Sequence, residues 1–170
     1  MNVFLIGFMG SGKTTIGKKL ANYLKYEFID LDKFIEARSG MSIVDYFEAH
    51  GEDAFRELER EILQNTAFPE NAIIATGGGA PCYKDNMEWM NNNGSVAYLF
   101  LSPKALASRL ENSTADRPLI RNLKGEELVD FIAAKLKERE TFYNQSKFVV
   151  SASDLTAERL AFYLNLRAEV

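Results

Sequence analysis

Short apolar runs recur along the chain at residues 3–6, 28–29, 72–75, 96–101 and 148–150, each bounded by glycine or polar residues. Runs of this length without internal charge read as buried strands. Between them lie longer stretches with helical spacing, one carrying Phe55, Leu58, Ile62 and Leu63, another Leu128, Phe131, Ile132, Leu136 and Phe142. Such spacing gathers the apolar side chains on one face of a helix. Strand and helix patterns alternate. Parallel strands need crossover connections that helices usually supply, so the alternation predicts an α/β fold in which helices cover both faces of a parallel sheet. Two helix starts are marked locally: Ser102-Pro103 offers a hydroxyl cap followed by proline in the first turn, and Ser42 with Asp45 resembles a capping box. No repeat, low-complexity tract or linker interrupts the pattern, which predicts one domain over residues 1–170. The polar stretch 111–122, holding Asp116-Arg117-Pro118 between two helical patterns, reads as a mobile lid.

Composition narrows the partners. A hydrophobic content of 46% is enough for a single core without disulfides or structural metal. The formal net charge of −4 gives no global positive field for nucleic acid or an anionic membrane surface, so any anion site must be local. Cys82 is the one cysteine, unable to form an intrachain disulfide and suited to a reducing compartment. The opening residues lack the basic region and long apolar run of a signal peptide, and no later stretch is long enough to span a bilayer. A cytoplasmic protein is expected. No uncovered apolar stripe stands out, which points to a monomer.

Directly after the first predicted strand stands Gly7-Phe8-Met9-Gly10-Ser11-Gly12-Lys13-Thr14, a phosphate-binding loop pattern. Glycines let successive backbone N–H groups turn inward around phosphates, and the following helix aims its positive dipole end at the same charge. Lys13 would sit against the β- and γ-phosphates, while the Thr14 hydroxyl would bind Mg²⁺ bridging them. A GTPase reading lacks its guanine-selecting Asn-Lys-x-Asp and its Asp-x-x-Gly, and the short chain leaves no room for the further domain of a motor or transporter ATPase. A small-molecule kinase remains.

Asp30 and Asp32 end the second strand, where open α/β sheets bind ligands. They either cap the next helix or divide the work, one serving Mg²⁺ through water and the other meeting an acceptor hydroxyl. Arg56 and Arg60, one turn apart with Glu59 between them, read on spacing alone as a solvated charged face. Gly77-Gly78-Gly79 follows the third strand, and is either a flexible turn or a place where amides approach a ligand. Arg117 in the lid and Arg139 on a later helix are cations able to close on phosphate or carboxylate. His50 is the single histidine and has no nucleophile motif beside it, which makes it a surface or helix-end residue.

Together these residues resemble the shikimate kinase family over essentially the whole chain. The resemblance rests on Gly7 to Thr14 with Thr15-Ile16-Gly17, on Phe28-Ile29-Asp30-Leu31-Asp32 followed by Ile35-Glu36, and on Gly51-Glu52 with Phe55-Arg56 and Glu59. Gly77 to Gly79, Arg117-Pro118-Leu119 and Arg139 four residues before Tyr143 complete it. It implies a three-layer, five-stranded parallel sheet like that of nucleoside monophosphate kinases, with a substrate-binding helical region at about 32–62 and the lid near Arg117. It also implies transfer of the ATP γ-phosphoryl group to the 3-hydroxyl of shikimate. Asp32 would hold that hydroxyl, orienting it or also taking its proton. Arg56 and Arg139 would grip the substrate carboxylate, and the Gly77, Gly78 and Gly79 segment would complete the pocket. ATP would lie against Gly10, Ser11, Gly12, Lys13, Thr14, Thr15, Arg109 and Arg117, its base near Arg109 and a loop at about 151–154. Asp30 would reach Mg²⁺ through water. The rival readings are another small-metabolite kinase, such as one acting on gluconate, and a nucleotide-binding regulator without catalysis.

Overall fold

The computed structural model describes residues 1–168. Among them, the strands are β1 (Asn2–Ile6), β2 (Glu27–Asp30), β3 (Ala72–Ala75), β4 (Gly94–Phe100) and β5 (Phe148–Ser151). They form one sheet in the order β2-β3-β1-β4-β5, every pair parallel. Four predicted runs match strands to within one residue at either end, and the fourth strand starts two residues early, at Gly94, because polar Ser95 is itself buried and paired with Val3.

The helices are α1 (Lys13–Leu24), α2 (Leu31–Ser39), α3 (Ile43–His50), α4 (Glu52–Asn65), α5 (Asn86–Asn93), α6 (Pro103–Glu111), α7 (Gly125–Tyr143) and α8 (Ala157–Tyr163). Successive side chains of a strand point to opposite faces. In β1, Phe4 packs edge-on against Trp89 of α5, with ring centroids 5.9 Å apart, while Leu5 lies against Gly17 of α1. Helices therefore cover both faces, and β1, with Val3 to Ile6 wholly buried, is the centre of a three-layer core. Truncating such a residue, Leu5→Ala for instance, removes about 2–5 kcal/mol of stability.

Local signals start two helices where they were expected to. Ser102 accepts from the Ala105 N–H at the head of α6 with Pro103 beside it, and Ser42 accepts from the Asp45 N–H at the head of α3. On α7 the buried positions are Leu128, Ile132, Leu136 and Tyr143. Phe142, expected on that stripe, is only partly buried, since Tyr143 lies seven residues after Leu136, two full turns in phase. At the sheet's edge Val149 of β5 and Tyr163 of α8 stay 58% and 45% exposed along a hollow that they share with Lys147, Ser151, Ser153 and Arg159.

Because all strands run the same way, Gly7, Leu31, Thr76 and Leu101 all leave the sheet at one end, and the ligand-bearing residues converge there.

Candidate active site

The phosphate-binding loop joins β1 to α1. Gly10 and Gly12 take φ of +82° and +93°, which only glycine adopts without strain, and this winds the loop so that α1 begins with no side-chain cap on its first amides. Lys13 folds back over the loop. Its ammonium donates to the carbonyls of Gly7 at 2.7 Å and Phe8 at 3.0 Å. Desolvation pushes Lys13 down to about 8, against the pull of Asp32. The charges of Arg117 and Arg139 press Lys13 further down, as suits a site that awaits a polyanion.

Asp30 both caps and reaches the site. One oxygen accepts from the Lys33 N–H at 3.3 Å as the cap of α2, and the other accepts from the Thr14 hydroxyl at 3.2 Å. Hydroxyl and carboxylate oxygens suit Mg²⁺, an ion that keeps several waters and takes one or two protein oxygens besides phosphate. Among the described residues no cluster of three His, Cys, Asp or Glu side chains that could hold a metal ion exists.

Asp32, in the first turn of α2, caps nothing. It lines both halves of the cleft: the half where phosphate is expected, of about 400 Å³ with Lys13, Thr14, Asp30 and Arg117, and the half where an acceptor is expected, of about 390 Å³ with Arg56, Glu59, Gly79 and Arg139. Burial, then the charge of Asp30, push its carboxyl above the ordinary range, while Lys13 and Arg56 pull it down. A hollow of about 600 Å³ beside β5 shares no residue with either half.

Arg56 and Arg60, which looked alike in sequence, part company. Arg60 turns away to a bidentate pair with Asp85, at 2.7 and 3.2 Å. Arg56 is not on a solvated face: it points into the acceptor half, its side chain 17% exposed, and donates to Glu59 at 2.7 Å. The triple glycine is more than a flexible turn, since a Cβ on Gly79 would run into the Arg56 guanidinium. Arg139 lies over the Phe8 ring at 5.4 Å, and its N–H reaches the Tyr143 hydroxyl at 3.5 Å. Tyr143 in turn donates to the Gly78 carbonyl at 2.5 Å.

The 111–122 segment contributes to both halves. Arg117 lines the phosphate half, its Nε buried without a protein partner, while Pro118 and Leu119 line the acceptor half. Asp116 and Arg121 bracket this turn with two hydrogen bonds of 3.0 and 2.7 Å. Arg109 ties the phosphate loop to the segment after β5, donating to the carbonyls of Ser11 and Ala152 at 3.2 Å each. Beside it a hollow of about 220 Å³ is lined by Ser11, Gly12, Thr15, Ala152 and Asp154. His50 is the exposed end of α3, stacked on Tyr46 away from these groups.

Sequence reasoning did not assign roles to Glu59, Phe8 and Tyr143. Glu59 had a readable signal, because it lies on the Phe55, Ile62 and Leu63 stripe where a charge is out of place. Tyr143 had the weaker one of standing four residues after Arg139.

The site has recognisable relatives. The sequence model described as Shikimate kinase matches residues 9–167. The chain belongs to the shikimate kinase family. A shikimate kinase of Phocaeicola vulgatus is 45% identical over 157 residues, covering 92% of this chain and 90% of the relative. The crystal structure of shikimate kinase from Bacteroides thetaiotaomicron, 41% identical, superimposes with a TM-score of 0.93 over 98% of this chain and 99% of that one. Shikimate kinase from Acinetobacter baumannii, in complex with shikimate, gives 0.80 at 33% identity over 96% and 93%. Members of the shikimate kinase family are P-loop kinases, and the five-stranded parallel sheet found here is the fold expected of them.

Proposed function

We propose that the protein transfers the γ-phosphoryl group of ATP to the 3-hydroxyl of shikimate, giving ADP and shikimate 3-phosphate. The observation that carries this reading is the position of Asp32, shared between a volume lined by the phosphate loop and a volume lined by Arg56 and Arg139. An acceptor with a carboxylate at one end and a hydroxyl at the other matches that order of charges. Membership of the shikimate kinase family supports the same acceptor.

The loop amides and Lys13 hold the β- and γ-phosphates, and Thr15 with Arg109 and the 151–154 segment flank the base. Arg56 and Arg139 grip the acceptor carboxylate, which fixes the hydroxyl against Asp32. A new bond forms between the hydroxyl oxygen and the γ-phosphorus as the bond to the ADP oxygen breaks, and the hydroxyl proton passes to Asp32. Its raised proton affinity suits it to receive that proton. Arg117 spreads its charge over the transferring group. Thr14 directly and Asp30 through water would hold Mg²⁺, which supplies charge neutralisation at the phosphate oxygens when bound. The 111–122 segment acts as the lid, excluding water as it brings Arg117 in. Every group in this scheme comes from one chain, so the proposed active unit is the monomer, and a small soluble metabolite as acceptor suits the cytoplasm.

The test is ADP release from Mg-ATP with and without shikimate, with gluconate and a nucleoside monophosphate in parallel. Shikimate-dependent turnover that falls at least about 100-fold in Asp32→Asn is the expected result. Turnover with gluconate instead would move the assignment to another acceptor, and nucleotide binding without any turnover would favour a regulator.

A further inference from the structure

Glu59 is fully shielded from solvent, yet only half of its carboxyl is satisfied. One oxygen accepts from Arg56 at 2.7 Å, and the other, Oε2, has no hydrogen-bonding partner. An ionised carboxylate in that position depends on nearby positive charge. Each element packed around it presents a group: Arg56 on α4 itself, Asp32 on α2, Arg139 on α7 and Cys82 in the turn after β3. Burial pushes the Cys82 thiol up to about 11, so it stays neutral. Glu48 of α3 lines the same volume but is exposed, where water screens it. The acceptor half thus balances two cations, Arg56 and Arg139, against two carboxyls, Asp32 and Glu59. Those two acids crowd one place, for a Cβ on Gly77 would meet Asp32 Oδ1 at 2.9 Å and Glu59 Oε2 at 3.2 Å.

An acceptor carboxylate disturbs this balance. It adds a third negative charge and competes for Arg56, among the described residues the only cation hydrogen-bonded to Glu59. We infer that Glu59 takes up a proton from solvent when the acceptor carboxylate binds Arg56, so that the anion enters the pocket together with its neutralising proton. The inference rests on the acceptor reading above. Glu59 is poised for it, because burial already pushes the free protein's carboxyl up to about 7, against the opposing charge of Arg56. Protonation restores neutrality in the filled pocket. It also relieves the unpartnered oxygen of its charge, and the proton returns to solvent when the carboxylate leaves. Since the complex binds more protons than the free protein, acceptor affinity falls as pH rises from about 7 towards the higher pKa of the complex, by at most about tenfold per unit. Glu59 is accordingly a positioning residue, one that sets how firmly Arg56 holds the acceptor.

Titration calorimetry of shikimate into the full chain at about pH 7.5, in two buffers of different ionisation enthalpy, counts the protons exchanged. The expected result is uptake of a fraction of a proton per shikimate by the unaltered protein and none by Glu59→Gln. The shikimate Kd should rise several-fold between about pH 6.5 and 8.5 in the former and stay flat in the latter. Shikimate binding without proton uptake by the unaltered protein overturns the inference even if the variant fails to fold. Undiminished uptake in Glu59→Gln overturns it as well. Absence of any shikimate binding has a different signature and overturns the acceptor assignment along with it.

Discussion

The hydroxyl of Tyr143, buried at the last turn of α7, donates to the backbone carbonyl of Gly78 at 2.5 Å. One side chain thereby ties a helix that carries Arg139 to the glycine segment lining the acceptor pocket. Tyr143→Phe keeps the packing and deletes this link together with the 3.5 Å contact that the hydroxyl accepts from Arg139. Losing the donor to this part-buried carbonyl costs about 1 kcal/mol, readable in urea unfolding. The KM for shikimate should rise several-fold while the KM for ATP stays near its original value, because the hydrogen bonds of the Tyr143 hydroxyl go to Arg139 and Gly78.

Lys13 illustrates stability given up for function. Its pKa, brought down to about 8 by burial, means that the folded, nucleotide-free chain holds the charged form at a cost. Lys13→Met should abolish turnover yet stabilise the nucleotide-free protein by about 1–3 kcal/mol at pH 7. The sign with pH follows from proton counting. Below about pH 8 both folded and unfolded chains carry the proton and the penalty is full. Between about 8 and 10.5 the folded chain gives up its proton first, so the gap between wild type and variant should narrow as pH rises. Thermal unfolding of both proteins across that range checks it.

Asp30 divides its oxygens between the α2 cap and the Thr14 hydroxyl. Asp30→Asn retains an oxygen for the cap but loses the negative charge beside Thr14. The Mg²⁺ concentration for half-maximal activity should therefore increase about tenfold or more, with a loss of stability below about 1 kcal/mol. A magnesium titration of initial rates at fixed ATP measures the first, and denaturant melts the second. An unchanged magnesium requirement would remove Asp30 from the ion's surroundings.

The elements of the fold and the phosphate end of the site were legible in the chain because their causes are local. Five apolar runs became five strands, and the Gly7 to Thr14 spacing carries its own loop geometry, with glycines where φ is positive. Asp32 could be placed at a strand end but not told apart from a helix cap, since aspartate satisfies both roles. Arg56 and Arg60 show the limit most clearly. Their shared helix and i, i+4 spacing are compatible with two exposed cations, yet one meets Asp85 and the other lies half-buried against Glu59.

The sequence by itself determined the alternation of strand and helix, the phosphate-binding loop and the set of charged residues available, all of which follow from backbone preferences and hydrophobic periodicity within short windows. Only the tertiary structure decided which charges meet. The parallel sheet brings the ends of β1, β2 and β3 to one edge of the core, while α4 and α7 carry Arg56 and Arg139 to the same glycine segment from distant parts of the chain. Proton affinities such as that of Glu59 depend on desolvation and on charges contributed by other elements, so they exist only once the fold has removed water and assembled those neighbours.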